Sequence, residues 1–385
     1  MPGLGDVDFA LTPEQELIRT TVRTFAEQEV QPRAKALDAE DAFPRDLWQR
    51  LIELQLTGVI IPERYGGAGL DMVSYMLTIE EISRVCAGLA VALSVHISVA
   101  TSPILLFGTD QQRERFVVPM AKGALLGGFA QTEPNAGSDA AGITTTASRR
   151  EGGWVLNGTK TFITNGDGDV FVTTAKTDPA AGHKGMTTFI VTKELDGFSL
   201  GVKEDKMGIR ASTTYELLFT DMFVPDDQVL GLPGEGFRIA MATLDASRIG
   251  IGAQAIGIAQ GAFDQALAYA QQRQAFGGPI GRFGAIQQML ADMAVRLESA
   301  RLLVYQAAWR KDRGLDVNKQ ASMAKLFASE TATFVTNKAV QIHGGYGYIK
   351  EYDVERYYRD AKVTELYEGT SEIQRLVIAR QLLKE

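Results

Sequence analysis

The spacing of apolar residues changes twice along this chain of 385 residues, and that change constrains the fold more than any other feature. The first third keeps a helical period, the middle alternates in short runs rich in Thr, Val and Phe, and the last third is helical again. Helices and strands that occur in separate stretches indicate consecutive domains. We therefore predict an α+β multidomain protein with an all-helical N-terminal domain, a middle β domain of barrel or sandwich type and a C-terminal four-helix bundle, at residues 1–124, 125–232 and 233–385.

Local motifs predict how some elements begin and end. Thr12-Pro13-Glu14-Gln15 is a capping box with a proline in the first turn, so a helix is expected there. In "GWVLNGTKTFITNG" (153–166), Asn157-Gly158 predicts the turn of a β-hairpin. Ser371 and Gln374 form a second capping-box pattern, which predicts a terminal helix. The apolar residues of that helix are expected to form one buried stripe: Ile373, Leu376, Val377 and Leu383.

Composition excludes several classes of protein. A net charge of −8 and a pI near 5.2 argue against binding to nucleic acids or to anionic membranes. The single cysteine, Cys86, rules out an internal disulfide framework, and its apolar neighbours predict a buried, unreactive thiol.

Two segments bear on location. Residues 85–109 contain no Asp, Glu, Lys or Arg and are long enough to cross a membrane. Their Ser, Thr, His and Pro residues, and the lack of aromatic or basic anchors, favour a helix buried in a protein core instead. The N-terminal segment has no apolar stretch typical of a secretory signal, so a bacterial-type cytoplasmic location without membrane insertion is expected.

Motifs of several common enzyme mechanisms are missing. The sequence has no GxGxxG after a predicted strand, no P-loop, no HExxH and no GxSxG. Its three histidines are widely spaced, so no metal site is expected. What remains are Gly- and Ser-rich loops at 129–139, 272–280 and 341–347, which could hold an oxygen-rich ligand or could be ordinary turns and helix ends.

The segment "YEGTSEIQRLVIAR" (367–380) contains two glutamates, which are expected to have different roles. Glu372 falls in the first turn of the predicted terminal helix, where a carboxylate offsets the positive end of the helix dipole. Glu368 precedes that helix in a loop beside Gly369, so helix formation gives it no role.

Eight stretches, taken together and in this order, resemble the acyl-CoA dehydrogenase family over nearly the whole chain. They are "FAQTEPNAGSD", "NGTKTFITNG", "KMGIRAS", "FVPDDQVLG", "RIGIGAQAIGIAQ", "QRQAFGGPI", "ADMA" and "QIHGGYGYIKEYDVERYYRDAKVTELYEGTSEIQRL". The resemblance implies the same three domains, an FAD cofactor between the β domain and the bundle, and a homotetramer in which the flavin also contacts a neighbouring subunit.

Site residues follow from the same resemblance. On the β-domain side it implies flavin contacts at Phe129, Gln131, Thr132, Ser138, Phe162 and Thr164, the last two flanking the isoalloxazine ring. Across the subunit interface it implies contacts to the adenine half at Arg273, Phe276, Gln341 and Gly345. Thr370 and Glu372 would close the pocket from the terminal helix. Substrate contacts are implied at Ser138, Asp245, Arg248 and Gly369, although Asp245 and Arg248 could also form a local helix ion pair.

The resemblance assigns Glu368 as the catalytic base. In the implied reaction, the base removes the Cα proton of an acyl-CoA while a hydride leaves Cβ for flavin N5, giving the trans-2-enoyl-CoA. Because the α-proton is weakly acidic, the base must be desolvated and aimed. The thioester oxygen also needs donors, implied to be a flavin ribityl hydroxyl and the Glu368 amide. Some members carry the base at the position of Ser247, which cannot serve here.

The chain departs from the family at Gly284, where glutamine is common; a polar contact near the adenine end is lost unless Gln287 or water replaces it. Electrons would pass to an electron-transfer flavoprotein in fatty acid β-oxidation or amino acid catabolism. The alternatives are an acyl-CoA oxidase, which is usually longer, and a flavin-binding or nucleic-acid-binding relative, which would lose Glu368 or gain basic residues. A base at 368 resembles short- and medium-chain members, but the residues do not determine chain length or branching.

Overall fold

The protein is described by a computed structural model that covers residues 10–383. The first nine residues, on which the expected lack of a secretory signal partly rests, and the last two lie outside the described residues. The helices are α1 (Pro13–Phe25), α2 (Ala34–Glu40), α3 (Arg45–Glu53), α4 (Met72–Ser83), α5 (Ala87–Val95), α6 (Ser102–Phe107), α7 (Asp110–Gln112), α8 (Val118–Ala121), α9 (Gly236–Gln272), α10 (Gly284–Asp312), α11 (Asn318–His343), α12 (Val354–Val363) and α13 (Ser371–Leu382). The strands are β1 (Gly127–Ala130), β2 (Thr146–Arg150), β3 (Gly153–Thr164), β4 (Val170–Lys176), β5 (Met186–Thr192), β6 (Phe198–Lys203), β7 (Thr214–Pro225), β8 (Val229–Leu230), β9 (Gln274–Ala275) and β10 (Gly278–Pro279).

The predicted three-part α+β fold is confirmed by this order of elements. The boundaries proposed at 124/125 and 232/233 stay predictions. The helical segments leave α8 at Ala121 and resume with α9 at Gly236, with the large sheet between them.

The N-terminal helices match the predictions made for them. The Thr12 side chain caps α1 and Gln15 reciprocates, so the capping box is confirmed. Within the described residues, Ala87–Phe107 is the one helix long and apolar enough to cross a membrane, and 83% of its apolar window is buried inside the protein. His96 in this helix accepts from Gly127 N (3.0 Å) and meets Met120 O (3.0 Å), and burial lowers its pKa to about 4. The prediction of a buried core helix is confirmed.

The middle sheet follows the order β6-β7-β3-β2-β4-β5-β8, with β1 parallel to β4. Strand β2 meets β4 through one residue pair, Thr146 and Lys176, so the sheet has two halves. Leu156 and Leu217 from one half share a core with Phe171 and Phe189 from the other. Two halves that close on a common core form the barrel or sandwich type of domain that the sequence predicts.

The hairpin predicted at Asn157-Gly158 is wrong. β3 runs unbroken through this pair, with a shift of register against β7 between Leu156 and Gly158. The Asn157 amide group exchanges two hydrogen bonds with Asp221, at 3.0 and 2.8 Å, and a Cβ at Gly158 would lie 2.4 Å from Thr145 Oγ1. The pair therefore serves a bulge and a close strand contact, whereas the observed hairpin turn joins β2 to β3.

The C-terminal region differs from the prediction in three respects. Helix α12 lies between α11 and α13 and is a helix beyond the four predicted for the bundle. The N-cap of α13 is Thr370, whose side chain accepts from Ile373 N, and Ser371 does not form a capping box. The predicted buried stripe is also wrong, because Leu376 is 52% exposed and Leu383 is 82% exposed. No other part of residues 10–383 buries these two side chains.

Helix α12 joins all three regions through charged side chains. Arg359 pairs with Asp38 (2.7 Å) of α2. The buried Asp360 carboxylate accepts a hydrogen bond from the Ile209 amide (2.5 Å) of the middle region.

Cys86 is buried as predicted, and burial raises the pKa of its thiol.

Candidate active site

Glu368 lies in the turn between α12 and α13, on an unusual backbone. Its φ is +52°, a left-handed conformation that costs energy for any residue except glycine, and Gly369 follows with φ +92°. Two buried side chains hold this turn. Lys325 Nζ donates to Gly369 O at 2.7 Å, and Gln374 Nε2 donates to Glu368 O at 3.2 Å and to Gly369 O at 2.9 Å. The turn is therefore held by groups from α11 and α13.

The Glu368 carboxylate is set in a desolvated environment. Its Oε2 atom is buried and has no hydrogen-bond partner among the described residues. Burial raises the pKa of Glu368, while the Ser247 hydroxyl and the positive charges of Lys325 and Arg248 oppose the increase. Ser247, on α9, is thus close enough to Glu368 to lower its pKa. A buried carboxylate with a free oxygen and a raised pKa has the properties of a general base.

Asp245 and Arg248 form the ion pair foreseen for them, with Arg248 Nη1 2.6 Å from Asp245 Oδ1. Asn318 Nδ2 donates to Asp245 Oδ2 (2.6 Å), and Arg248 Nη1 donates to Ser322 Oγ (3.3 Å) on α11. Arg248 is buried and its Nε lacks a partner among the described residues. The pair therefore does more than brace α9, because it places a positive charge beside Glu368.

Large polar side chains lie within electrostatic reach of the base. The charge of Glu368 contributes to the raised pKa values of both Tyr75 and Tyr367, after burial as the main cause. The Tyr75 hydroxyl lies 2.8 Å from Ser94 Oγ on α5, and the Tyr367 hydroxyl donates to Gln254 Oε1 on α9. Gln254 Nε2 in turn donates to a backbone carbonyl of α5 at 3.1 Å.

The predicted flavin residues of the β domain lie on two adjoining segments. The chain leaving β1 runs beside the end of β3, where Thr161 N donates to Thr132 O at 2.9 Å. Phe162 stands 63% exposed at φ +58°, and Phe129 packs against two of the hydrophobic cores. Gln131 Oε1 is buried without a partner among the described residues. These segments also hold Thr164, whereas Ser138 lies exposed in the following loop.

A buried ion pair supports these segments from below. Lys160 Nζ, fully buried, lies 2.8 Å from Glu133 Oε1 and donates to Gln131 O (3.3 Å) and Thr174 O (2.8 Å). Burial alone would raise the pKa of Glu133, but Lys160 and the Thr144–Thr145 donors lower it to about 2. The pair therefore stays charged at neutral pH and fixes the segment that carries Gln131.

Helix α5 brings the β-domain segments and the base to one place. Asn165, just after β3, donates to Ala92 O on α5 at 2.9 Å and to Gly127 O on β1 at 3.0 Å. Two residues further along the same helix, Ser94 bonds Tyr75, and the charge of Glu368 helps to raise the pKa of Tyr75. The two groups of predicted residues thus border the same junction of the three regions.

Four predicted residues are not brought there. Arg273, Phe276, Gln341 and Gly345 lie exposed at the other end of the bundle, with Phe276 91% exposed and the Arg273 guanidinium over the Tyr346 ring. Gln341 is sixteen residues beyond Lys325 on α11, about 24 Å along the helix axis. Arg273 and Gly345 line a surface cavity of about 520 Å³ there. A second cavity, of about 580 Å³ beside α7, is lined by none of the predicted residues. Within one chain they cannot join the Glu368 site.

Two of the predicted residues, Thr370 and Glu372, lie at the start of the terminal helix. Thr370 caps α13. The carboxylate of Glu372 is exposed, and its pKa is lowered by its own backbone amide and by Thr370. This matches the role at the helix N-terminus that the sequence indicates; a contact of Glu372 with a cofactor stays a prediction.

The β-domain segments suit a flavin by their chemistry. An exposed ring at Phe162, the unsatisfied Gln131 Oε1 and the adjoining Thr132 and Thr164 offer one aromatic face and several polar groups to a planar ring with amide-like edges. Gly284 is exposed with open space around it, so the departure from the family creates no packing defect.

Sequence reasoning missed the two residues that hold the base. Lys325 follows the buried Ala321 by one helical turn and precedes the buried Ala328, so it falls on the apolar face of α11. A lysine on the apolar face of a helix is rarely buried without a functional or structural reason, and this was the sequence signal that could have identified Lys325. Gln374 was assigned to a helix cap, and only the folded structure shows it bonded to the turn.

Three family descriptions match this chain in succession. Residues 12–124 match "Acyl-CoA dehydrogenase, N-terminal domain", residues 128–222 match the middle domain and residues 234–383 match the C-terminal domain. An "Acyl-CoA dehydrogenase" of Bacillus subtilis (strain 168) is 51% identical over 97% of this chain and 99% of its own length. An "Acyl-CoA dehydrogenase, short-chain specific" of Clostridium acetobutylicum is 49% identical over 98% of this chain and 100% of its own.

Solved structures agree with these sequence matches. Butyryl-CoA dehydrogenase from Megasphaera elsdenii superposes with a TM-score of 0.97 at 45% identity, covering 98% of this chain and 100% of that one. A structure described as "Electron transferring flavoprotein of Acidaminococcus fermentans: Towards a mechanism of flavin-based electron bifurcation" gives the same TM-score and coverage at 46% identity.

Proposed function

Because this chain belongs to the acyl-CoA dehydrogenase family of FAD-dependent oxidoreductases, we propose that it converts short-chain acyl-CoA thioesters to trans-2-enoyl-CoA thioesters with Glu368 as the base. The observation that carries the proposal is the Glu368 carboxylate, which is desolvated, has a free Oε2 and stands beside segments suited to a flavin. Short-chain substrates are favoured by the names of the relatives and by the large side chains, Tyr75, Tyr367 and Gln254, around the base.

The residues of this chain divide the work of the reaction. Arg248 and Asp245 hold the approach to the base, and Lys325 and Arg248 favour the carboxylate form of Glu368. Glu368 Oε2 takes the Cα proton of the thioester, and desolvation strengthens it as a base. Phe129, Gln131, Thr132, Ser138, Phe162 and Thr164 would hold the flavin, which when bound supplies the acceptor for the hydride that leaves Cβ. The Glu368 amide would donate to the thioester oxygen as negative charge develops there.

The partners and assembly form a second part of the proposal. We propose that electrons pass to an electron-transfer flavoprotein, supported by the structural match to the Acidaminococcus fermentans work. We also propose a homotetramer, since Arg273, Phe276, Gln341 and Gly345 are exposed and too distant to serve the flavin of their own chain. The bacterial cytoplasm is the proposed location, and branched acyl groups remain candidate substrates.

The test is anaerobic titration of the purified enzyme with acyl-CoAs from C4 to C16, branched ones included, followed by flavin absorbance. Short-chain thioesters should bleach the wild type, and Glu368→Gln should keep its flavin but lose at least about 10³-fold in the rate of bleaching, as expected when a general base is removed. Glu351→Gln, which changes an exposed carboxylate, should match the wild type. Bleaching of Glu368→Gln at the wild-type rate would refute the assignment of the base.

A further inference from the structure

Lys325 is a fully buried lysine without an ion-pair partner within 4.0 Å among the described residues. Its Nζ donates one hydrogen bond, of 2.7 Å, to the carbonyl of Gly369. Burying an ammonium group costs free energy, and burial lowers the pKa of Lys325 to about 8 while the charge of Glu368 opposes the shift. A methionine would fill the same space on α11 without this cost. The position of the charge therefore needs an explanation outside packing.

Gln374 approaches the same turn from the other side. It is fully buried, and its Nε2 donates to the carbonyls of Glu368 and Gly369. The Gly369 carbonyl thus receives one donor from α11 and one from α13. The backbone between these donors is the one that holds Glu368 at φ +52°, a conformation that persists only where surrounding contacts impose it.

The charges that face Lys325 come from each neighbouring element. Glu368 belongs to the turn, Arg248 to α9, Glu365 to the end of α12 and Glu372 to α13. Of these, Glu365 is bonded to Thr333 and Lys362, and Glu372 is exposed. Glu368, whose Oε2 atom is buried, is thus the carboxylate that the charge of Lys325 can influence most.

We propose that Lys325 and Gln374 are positioning residues that clamp the Glu368–Gly369 backbone, so that the carboxylate and the amide of Glu368 point to the substrate. Lys325 has a second effect that Gln374 lacks, since its charge favours the ionised form of the base before substrate binds. The inference rests on the proposed role of Glu368 as the base, and neither residue touches the reacting atoms.

Three variants separate the two effects. Lys325→Met removes the hydrogen bond and the charge, Lys325→Gln keeps a donor but loses the charge, and Gln374→Leu loses donors without changing charge. We expect kcat to fall about tenfold or more in Lys325→Met and Gln374→Leu, with flavin content unchanged. The pH at which kcat/KM reaches half its maximum should rise by about one unit in both Lys325 variants and stay constant in Gln374→Leu. Lys311→Met, which removes an exposed lysine near the end of α10, should match the wild type.

Two further measurements keep this inference distinct from the proposed function. In a Glu368→Gln background, Lys325→Met should lower the residual rate by a smaller factor than in the wild type, because only the backbone amide at position 368 is left for the clamp to position. A crystal structure of Lys325→Met or Gln374→Leu should show Glu368 released from its left-handed conformation, whatever the activity. If Glu368→Gln is inactive while both Lys325 variants keep the wild-type kcat and pH profile, the clamp is refuted and the base stands. If Glu368→Gln is active, the base assignment fails, and an unchanged φ at Glu368 would refute the clamp as well.

Discussion

Replacing Lys160 by methionine should destabilise the middle region strongly. The change removes a fully buried ammonium that bonds Glu133 at 2.8 Å and the carbonyls of Gln131 and Thr174. Methionine has nearly the same length, so the cavity term is small. What is left is a buried carboxylate without its counter-ion, the situation in which breaking an ion pair costs about 3–5 kcal/mol.

The structure places the expected cost within that range. Glu133 keeps donors from Thr144 N (2.5 Å), Thr144 Oγ1 (2.8 Å) and Thr145 N (3.1 Å), which still stabilise its charge. We therefore expect the lower end, about 3 kcal/mol, or roughly a 100-fold change in the unfolding equilibrium. The Gln131 segment should also loosen, so flavin should dissociate more readily.

The assay is urea denaturation of the apoprotein and holoprotein, followed by fluorescence, with flavin content measured after dialysis. Lys193→Met is a matched control, because it breaks an exposed lysine–aspartate pair of 2.5 Å with Asp169 in the same domain. An exposed pair contributes at most about 1 kcal/mol. If Lys160→Met costs no more than Lys193→Met, the buried pair does not stabilise this segment and the reasoning fails.

Two other predictions concern the distant end of the bundle and the contacts of α12. Arg273→Ala should lower the flavin content after dialysis without changing the fold. Lys350→Ala, which removes an exposed cation from the turn between α11 and α12, should leave the flavin content unchanged. Equal flavin content in the two variants would count against the subunit-interface proposal. Burial raises the pKa of Asp360 to about 6, despite the opposing charge of Arg356, so the native state holds a proton that the unfolded state releases near pH 3.8. The stability that Asp360 contributes is therefore complete below about pH 4 and is lost as pH rises through 6. Asp360→Asn should not show this loss of stability. Parallel curves of stability against pH for the two proteins between pH 4 and 7 would contradict the prediction.

The successes of the sequence reasoning rest on local physics. The capping box at Thr12 forms because its hydrogen bonds join residues three apart. The uncharged helix is buried because removing so much apolar surface from water lowers the free energy of the folded chain. Asn157-Gly158 misled for the opposite reason, since the pair suits a turn but here meets Asp221 and Thr145, which are distant in sequence. Similarly, the Leu376 and Leu383 stripe reads as core but lies uncovered on this chain.

By itself the sequence determined the order of the three regions, the loop position of Glu368 and the pattern of motifs that resembles an FAD-dependent family. Those features depend on residue type and spacing along one chain. Only the tertiary structure decided that Glu368 takes a left-handed backbone, that its Oε2 is buried with no partner in residues 10–383, and that Lys325 and Gln374 hold its turn. The physical reason is that desolvation and hydrogen-bond satisfaction are set by packing between helices far apart in sequence, and no local pattern encodes which side chains those helices bring together.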